Sequence, residues 1–339
     1  MFGNIRFCHG VILCENPRVR LLIIKTSSLG DVIHNLPAVS DIVSRAPGAE
    51  IDWVVEESFA EIPRLHPAVR RVIPVALRRW RRGMLRPATW REFARFRREL
   101  KAESYDRIID TQGLVKSAWL ARLERGPSCG QDRDTARESL AAGFYDQCFH
   151  VPRGRHAVER NRDLVAQALG YPLPQTPPDY GIRAPKASFS FTVPKKFIVA
   201  LHATSRDSKR WPVEHWVALG RELEGRGIAL LLPWGSAAEE QHAREIAQPL
   251  KRATVLPRLS LHELAALMGR AHAVVGVDTG LVHLAVALGR PTVAIYTDSS
   301  PALTGVLATR SGSACNLGDV GRVPEPVAVK QALTGLGLL

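Results

Sequence analysis

Residues 273–288 read Ala273-Val274-Val275-Gly276-Val277-Asp278-Thr279-Gly280-Leu281-Val282-His283-Leu284-Ala285-Val286-Ala287-Leu288. An unbroken small and apolar run, Ala273 to Val277, passes through polar residues into a segment whose apolar positions Leu281, Leu284, Ala285 and Leu288 keep i, i+3, i+4, i+7 spacing. The first pattern predicts a strand buried on both faces, and the second predicts a helix beginning at Gly280. Such a strand belongs in a parallel sheet covered by helices.

The pattern repeats outward from this stretch. Phe197 to Leu201, Ile228 to Leu232 and Thr292 to Tyr296 read as further strands, with helices at Pro212 to Gly225, Ala237 to Pro249 and Leu261 to Arg270. The amino-terminal half is looser, with strands at Arg20 to Ile24, Ile51 to Val55, Arg71 to Val75 and Arg107 to Asp110. A Pro-rich stretch, Tyr171 to Pro178, followed by Pro185 and Pro194, separates the halves and reads as a linker. The expectation is an α/β protein of two doubly wound domains facing one another. Its divisions are an extension at 1–19, a first domain at 20–175, a linker at 176–195 and a second domain at 196–339. Ligands of open sheets bind beyond the carboxyl ends of strands, which singles out the loops after Ile24, Leu201 and Val277.

Composition excludes other classes. The chain has 339 residues, 45% apolar and 23% charged, which suits folded domains and not disorder or a stapled mini-protein. No apolar run approaches the roughly 18 to 20 residues that cross a bilayer. Five Cys (Cys8, Cys14, Cys129, Cys148 and Cys315) form no CxxC pair, so neither a zinc knuckle nor a disulfide framework is encoded. The segment preceding the first strand lacks a signal-peptide pattern, and a cytoplasmic protein is expected.

Lys and Arg outnumber Asp and Glu by 46 to 33, and the excess is concentrated. From Arg64 to Lys101 there are 12 Arg and one Lys against Glu92 and Glu99, densest at Arg78-Arg79-Trp80-Arg81-Arg82. Arginine forks fit phosphate and carboxylate, so an anionic partner is expected there. In the helix predicted from Thr89 to Lys101, Trp90, Phe93 and Leu100 fall near one face.

Each of the three loops carries chemistry. Lys25-Thr26-Ser27-Ser28-Leu29-Gly30-Asp31 is neither GxGxxG nor a Walker loop. Asp31 stands where a helix begins, and reads either as an N-cap or as a general base at the mouth of a cleft. Thr204-Ser205-Arg206-Asp207-Ser208-Lys209-Arg210 places hydroxyls and cations beside a helix N-terminus, a combination suited to phosphate oxygens. In Asp278-Thr279-Gly280-Leu281-Val282-His283, first-turn N–H groups are available to an anion, with Thr279 and His283 as added donors. Asp132-Arg133-Asp134 matches a DxD pattern but follows no apolar strand, and the His residues lack ligand spacing, so no metal is expected.

Taken together, seven strings resemble the lipopolysaccharide heptosyltransferases of glycosyltransferase family 9. They are Lys25-Thr26-Ser27-Ser28-Leu29-Gly30-Asp31-Val32, Asp52-Trp53-Val54-Val55-Glu56-Glu57, Arg78-Arg79-Trp80-Arg81, Gln112-Gly113-Leu114-Val115-Lys116-Ser117, His156-Ala157-Val158-Glu159-Arg160-Asn161, Leu232-Pro233-Trp234-Gly235 and Val277-Asp278-Thr279-Gly280-Leu281-Val282-His283-Leu284. The resemblance implies a GT-B fold and inverting transfer of L-glycero-D-manno-heptose from ADP-heptose to the inner Kdo of Kdo2-lipid A. It implies Asp31 as general base, with Lys209 as the second catalytic residue. The donor set it implies is Thr204, Ser205, Lys209, Glu239, Leu259, Asp278, Thr279, Gly280 and His283. Ser205 stands where the family pattern has a second Thr, and Leu259 where it has a Met.

Arg78, Arg79, Arg81, Arg82, Gln112 and Lys116 are assigned to the acceptor. No cofactor and no metal are implied. The expected partners are ADP-heptose and Kdo2-lipid A, met by a monomer on the cytoplasmic face of the inner membrane. Relatives usually begin at the first strand, so residues 1–18 read as a start site assigned too early, with translation beginning at Val19. The alternatives are a later heptosyltransferase using the same donor and, more distantly, a nucleic-acid-binding protein using the Arg cluster. The latter would need aromatic stacking platforms or a known binding module, which the sequence does not show.

Overall fold

The computed structural model describes residues 19–204, 206–309 and 312–339. Two six-stranded sheets, parallel throughout, form its framework. The first is built from β1 (Arg20–Ile24), β2 (Glu50–Glu56), β3 (Val69–Val75), β4 (Arg107–Asp110), β5 (Ser128–Gln131) and β6 (Gln147–Phe149), in the order β3-β2-β1-β4-β5-β6. The second contains β7 (Phe197–Leu201), β8 (Ala229–Leu232), β9 (Ala253–Val255), β10 (Ala273–Val277), β11 (Thr292–Tyr296) and β12 (Ala314–Gly318), in the order β12-β11-β10-β7-β8-β9. Each order reverses beside its first strand, so the switch points lie at β1/β4 and β7/β10.

All the predicted strands are present, four of the five with the same ends in the central positions of their sheets. The strands missed are β5, β6, β9 and β12. Ser128-Cys129-Gly130-Gln131 is small and polar, while β6 and β9 have only three residues each. Neither carries a periodic signal long enough to read. The strand β5 runs directly into Asp132, so the DxD pattern does follow a buried strand, one without the apolar letters that would announce it.

In the second unit Trp211, Trp216, Leu219, Leu230, Val275 and Ile295 are fully buried or nearly so in one core. In the first, Leu22, Ile24, Val54 and Ile108 pack with Trp80, Phe96 and Leu100. Each large apolar side chain so buried contributes roughly 1.5 to 3 kcal/mol.

Contacts divide the chain into two units, and the division does not follow chain order alone. Ser28–Leu36 and Glu61–Pro67 group with the second unit, together with Pro177–Leu339. The expected boundaries had placed 28–36 in the first domain. The helix Leu29–Ile33 leaves the first sheet and packs on the helix Gly280–Ala287, because glycine stands at the contact: a Cβ on Gly280 would lie 2.7 Å from Leu29 Cβ and 2.9 Å from the Gly30 nitrogen. Residues 171–196 carry no helix or strand, as their prolines predict. Within them Tyr180 and Ile182 are buried and the remaining residues are half-buried or exposed. The extension at 1–18, with Cys8 and Cys14, lies outside the described residues.

The first unit contains a buried ion pair. Arg162 Nε and Nη2 reach the two oxygens of Asp41 at 2.7 and 3.1 Å, and Arg162 Nη1 donates to Thr176 O at 3.0 Å. Removing one partner strands the other charge. Arg162→Ala is expected to lower stability by roughly 3 to 5 kcal/mol, read from chemical unfolding. Joint replacement by Arg162→Met and Asp41→Leu should recover most of that loss, and a wild-type midpoint for Arg162→Ala would show that the pair is not desolvated.

Candidate functional site

The loops after β7 and β10, at the second switch point, are tied to each other. Asp278, directly after β10, forms an ion pair with Lys209 Nζ, and its Oδ2 also accepts from Ser299 Oγ at 2.6 Å. Burial opposes ionisation of Asp278, but the hydrogen bonds from Lys209 and Ser299 hold its carboxyl below the usual carboxylate range. Thr204 Oγ1 donates to Asp278 O at 3.3 Å. One turn beyond Thr204, Ser208 Oγ donates to Asp298 Oδ2 at 2.6 Å, and Thr297 Oγ1 donates to Ser208 O at 2.8 Å. Thr204, Lys209 and Asp278 therefore form one cluster, braced by Ser299. Ser208, Thr297 and Asp298 brace the same loop and, like Ser299, were not singled out by the sequence. Ser205 lies outside the described residues.

Thr279 is the N-cap of the helix Gly280–Ala287 and is only half buried, so this helix start is open to a ligand. Of the first-turn N–H groups, Val282 N donates to Thr279 O at 3.2 Å, those of Gly280 and Leu281 lack an i−4 partner, and the helix dipole adds positive potential there. His283, in the same turn, is buried, with Nδ1 3.1 Å from Nε2 of His34. The two rings meet edge to face with centroids 4.3 Å apart. One of the facing nitrogens donates to the other, so the tautomer of His283 is linked to that of His34. His34 was missed because its partner is 249 residues away, and a lone histidine at a helix end gives no local signal.

Asp31 sits at the third residue of the helix Leu29–Ile33, and Ser28, not Asp31, is the N-cap. Its Oδ2 accepts from Ser28 N at 2.9 Å and Ser28 Oγ at 3.1 Å, so the carboxylate steadies the helix start. Steadying the turn fixes the direction of the same carboxylate. The preceding residue, Gly30, lies against the helix Gly280–Ala287: a Cβ on it would lie 3.3 Å from His283 Cδ2. Capping and catalytic roles are thus compatible in one side chain.

The other donor-set residues sit at helix starts. Glu239 Oε2 accepts from Gly235 N at 2.7 Å and Ser236 N at 3.2 Å, closing a capping box ahead of the helix Ala237–Ala247. Leu259 is half buried and precedes Ser260, the N-cap of the helix Leu261–Met268. Among the described residues, the hydrogen bonds of Glu239 go to its own helix start and not to the Lys209 cluster.

In the first unit the acceptor assignments fare differently from one another. Gln112 is buried, and its Oε1 accepts from Thr26 N and Ser27 N, each at 3.1 Å. It holds the loop after β1, as does Lys25, whose Nζ donates to Thr111 O at 2.7 Å. Gln112 is therefore a brace, not an exposed acceptor contact. The helix Leu77–Arg82 buries Trp80 and exposes Arg78, Arg79, Arg81 and Arg82. Arg79 is engaged by Glu57, with two hydrogen bonds of 3.0 Å, and by Glu92 at 2.6 Å. Arg78 lies over the Phe59 ring at 5.7 Å, and Lys116 is exposed. The next helix, Pro87–Leu100, buries Phe96 and Leu100, while Trp90, expected on that face, is exposed.

Asp132, Asp134 and His150 bring one potential ligand atom each within 4.8 Å of one another. Asp132 accepts from Thr135 N at 2.9 Å and contacts His150 Nδ1 at 2.8 Å, so its oxygens already serve the turn. The cluster belongs to the first unit, not to the unit that contains Lys209 and Asp278.

Comparison with known proteins matches this geometry to a family. Residues 93–330 match the profile of glycosyltransferase family 9 (heptosyltransferase). The chain is 50% identical over 289 residues to lipopolysaccharide heptosyltransferase 1 of Pseudomonas aeruginosa, covering 85% of this chain and 81% of that protein. The structure of E. coli heptosyltransferase WaaC with ADP superposes with a TM-score of 0.85 at 44% identity, covering 94% of this chain and 99% of that one. The same enzyme with ADP-2-deoxy-2-fluoro heptose gives a TM-score of 0.82 at 43% identity, covering 94% and 100%. The two parallel sheets are the GT-B fold, and a nucleic-acid-binding role for the Arg cluster is displaced. The chain belongs to glycosyltransferase family 9, the heptosyltransferases.

Proposed function

We propose that this chain transfers L-glycero-D-manno-heptose from ADP-heptose to the inner Kdo of Kdo2-lipid A, with inversion at the anomeric carbon. The observation that carries the reading is the packing of the Asp31 helix on the helix start at Gly280, next to the Lys209 and Asp278 cluster. It gives one unit both a place for a departing diphosphate and a carboxylate. The similarity to an enzyme named heptosyltransferase 1 supports the first inner-core transfer over a later one.

In this reading the diphosphate lies at the N-terminus of the helix Gly280–Ala287, where first-turn N–H groups and the dipole meet charge that grows as the glycosidic bond breaks. Lys209, already neutralised by Asp278, turns part of its charge to the phosphate oxygens. His283 adds a donor when its Nδ1 accepts from His34. Asp31 takes the proton from the Kdo hydroxyl, whose oxygen forms the new bond to the anomeric carbon while ADP leaves from the opposite face. Arg78, Arg81, Arg82 and Lys116 meet the acceptor's carboxylates and phosphates. No residue in this scheme calls for a metal, and the acceptor places the enzyme at the cytoplasmic face of the inner membrane. No described helix is long and apolar enough to cross a membrane.

Three outcomes test the scheme. Asp31→Ala should cut turnover by a factor on the order of 100 or more with donor affinity nearly unchanged, and near-wild-type turnover would leave Asp31 as a helix cap only. Lys209→Ala should weaken ADP-heptose binding and slow transfer together; unchanged kinetics would remove Lys209 from the donor site. Transfer, followed by the mass of the product, should persist in EDTA, and its loss would reveal a metal requirement.

A further inference from the structure

The first unit carries an apolar surface beside Arg81, Arg82 and Lys116, whose apolar side chains have no part in the transfer scheme. The chain turns at Gly83 to Arg86 between the helices Leu77–Arg82 and Pro87–Leu100. At this tip Leu85 is 99% exposed and Met84 57%, with Trp90 at 59% and Trp119 at 39% beside them. These four are among nine large apolar side chains that stand exposed in the described residues, so the patch is a concentration and not a scatter. They are also ordered. Trp90 Nε1 donates to Met84 O at 2.8 Å, and Phe93 stacks on Trp119 with centroids 5.9 Å apart. Met84, Trp90, Phe93 and Trp119 line an open groove of about 580 Å³ together with Arg81 and Lys116.

Charge surrounds this apolar face. In the hairpin Arg79 is held by Glu57 and Glu92, whereas Arg81, Arg82, Arg86, Arg91 and Arg95 stand exposed around the tip and groove. Exposed Leu and Met side chains at a turn gain nothing from a hydrated polyanion. They gain free energy by entering hydrocarbon, while tryptophans settle at the headgroup level and arginines reach headgroup phosphates along their apolar stems. Apolar tip, tryptophan flank and cationic rim therefore complement one partner, the surface of an anionic phospholipid bilayer.

We propose that the hairpin of residues 77–100 is a membrane-docking element that inserts Met84, Leu85 and Trp90 into the interfacial layer of an anionic bilayer. The proposal rests on the reading of the substrate as a membrane glycolipid and adds the surface by which the protein reaches it. Docking holds the enzyme in the plane of its acceptor and raises the local acceptor concentration without a new contact in the reaction site.

The test is sedimentation of the full chain with vesicles, in the absence of either substrate, so that it is read apart from catalysis. The chain should bind phosphatidylcholine vesicles that contain phosphatidylglycerol, and bind pure phosphatidylcholine far less. Leu85→Ser combined with Trp90→Ser should reduce binding to the anionic vesicles by a factor on the order of 10, while turnover of a deacylated, water-soluble acceptor stays at wild type. Lipids brominated near the headgroup end of the chain should quench tryptophan fluorescence of the wild-type chain more than of Trp90→Phe. Absence of wild-type binding to anionic vesicles, equal binding by the double variant, or equal quenching in Trp90→Phe would overturn the proposal.

Discussion

The organisation of the donor unit depends on the absence of a side chain at Gly280. Only because that residue stops at its α-carbon does the backbone at Leu29 and Gly30 approach within van der Waals range of a helix start. The approach does two things at once. It draws Asp31 into the same unit as the helix Gly280–Ala287, and it seats the start of that helix against Leu29 and Gly30. A larger residue would spoil the position of the carboxylate and the opening of the helix together. The carboxylate proposed as the base is therefore not built into the sheet that precedes it in the chain.

The electrostatics follow from that packing. Lys209 and Asp278 neutralise each other in the ligand-free protein, so the cluster is not a buried net charge waiting for a counterion. In the proposed complex a diphosphate beside them would change the sharing of the lysine and would not require its desolvation afresh. The His34 and His283 pair works by a different principle. A hydrogen bond between two imidazoles has one proton, so the ring that points to the ligand acts as a donor only if its neighbour supplies that proton. The tautomer of His283 is thereby linked to that of His34, the C-cap of the helix that carries Asp31.

Much of the architecture was legible in the chain because buried parallel strands are long apolar runs. Phe197 to Leu201 and Ala273 to Val277 are found with the ends their letters suggest. Ser128 to Gln131 and Ala253 to Val255 were invisible, since their place in the sheet comes from neighbours and not from their own apolarity. The placement of the candidate loops was legible for the same reason that the strands were: Thr204, Lys209, Asp278 and Thr279 follow strand ends. Long-range pairing was not. Nothing local distinguishes Gln112 as a backbone brace from Gln112 as a sugar contact, or announces that Ser299 will steady Asp278. The unit to which Asp31 belongs was equally hidden, because it depends on a glycine about 250 residues further along.

The central claim is that the departing nucleotide is held at the start of the helix Gly280–Ala287 with Lys209 on its phosphates. A crystal structure of this chain with ADP tests it most directly. The account predicts density for the diphosphate within hydrogen-bonding distance of Lys209 Nζ and of the backbone nitrogens of residues 280–283. Well-defined density for the nucleotide anywhere else, with Lys209 still bound only to Asp278, would contradict it.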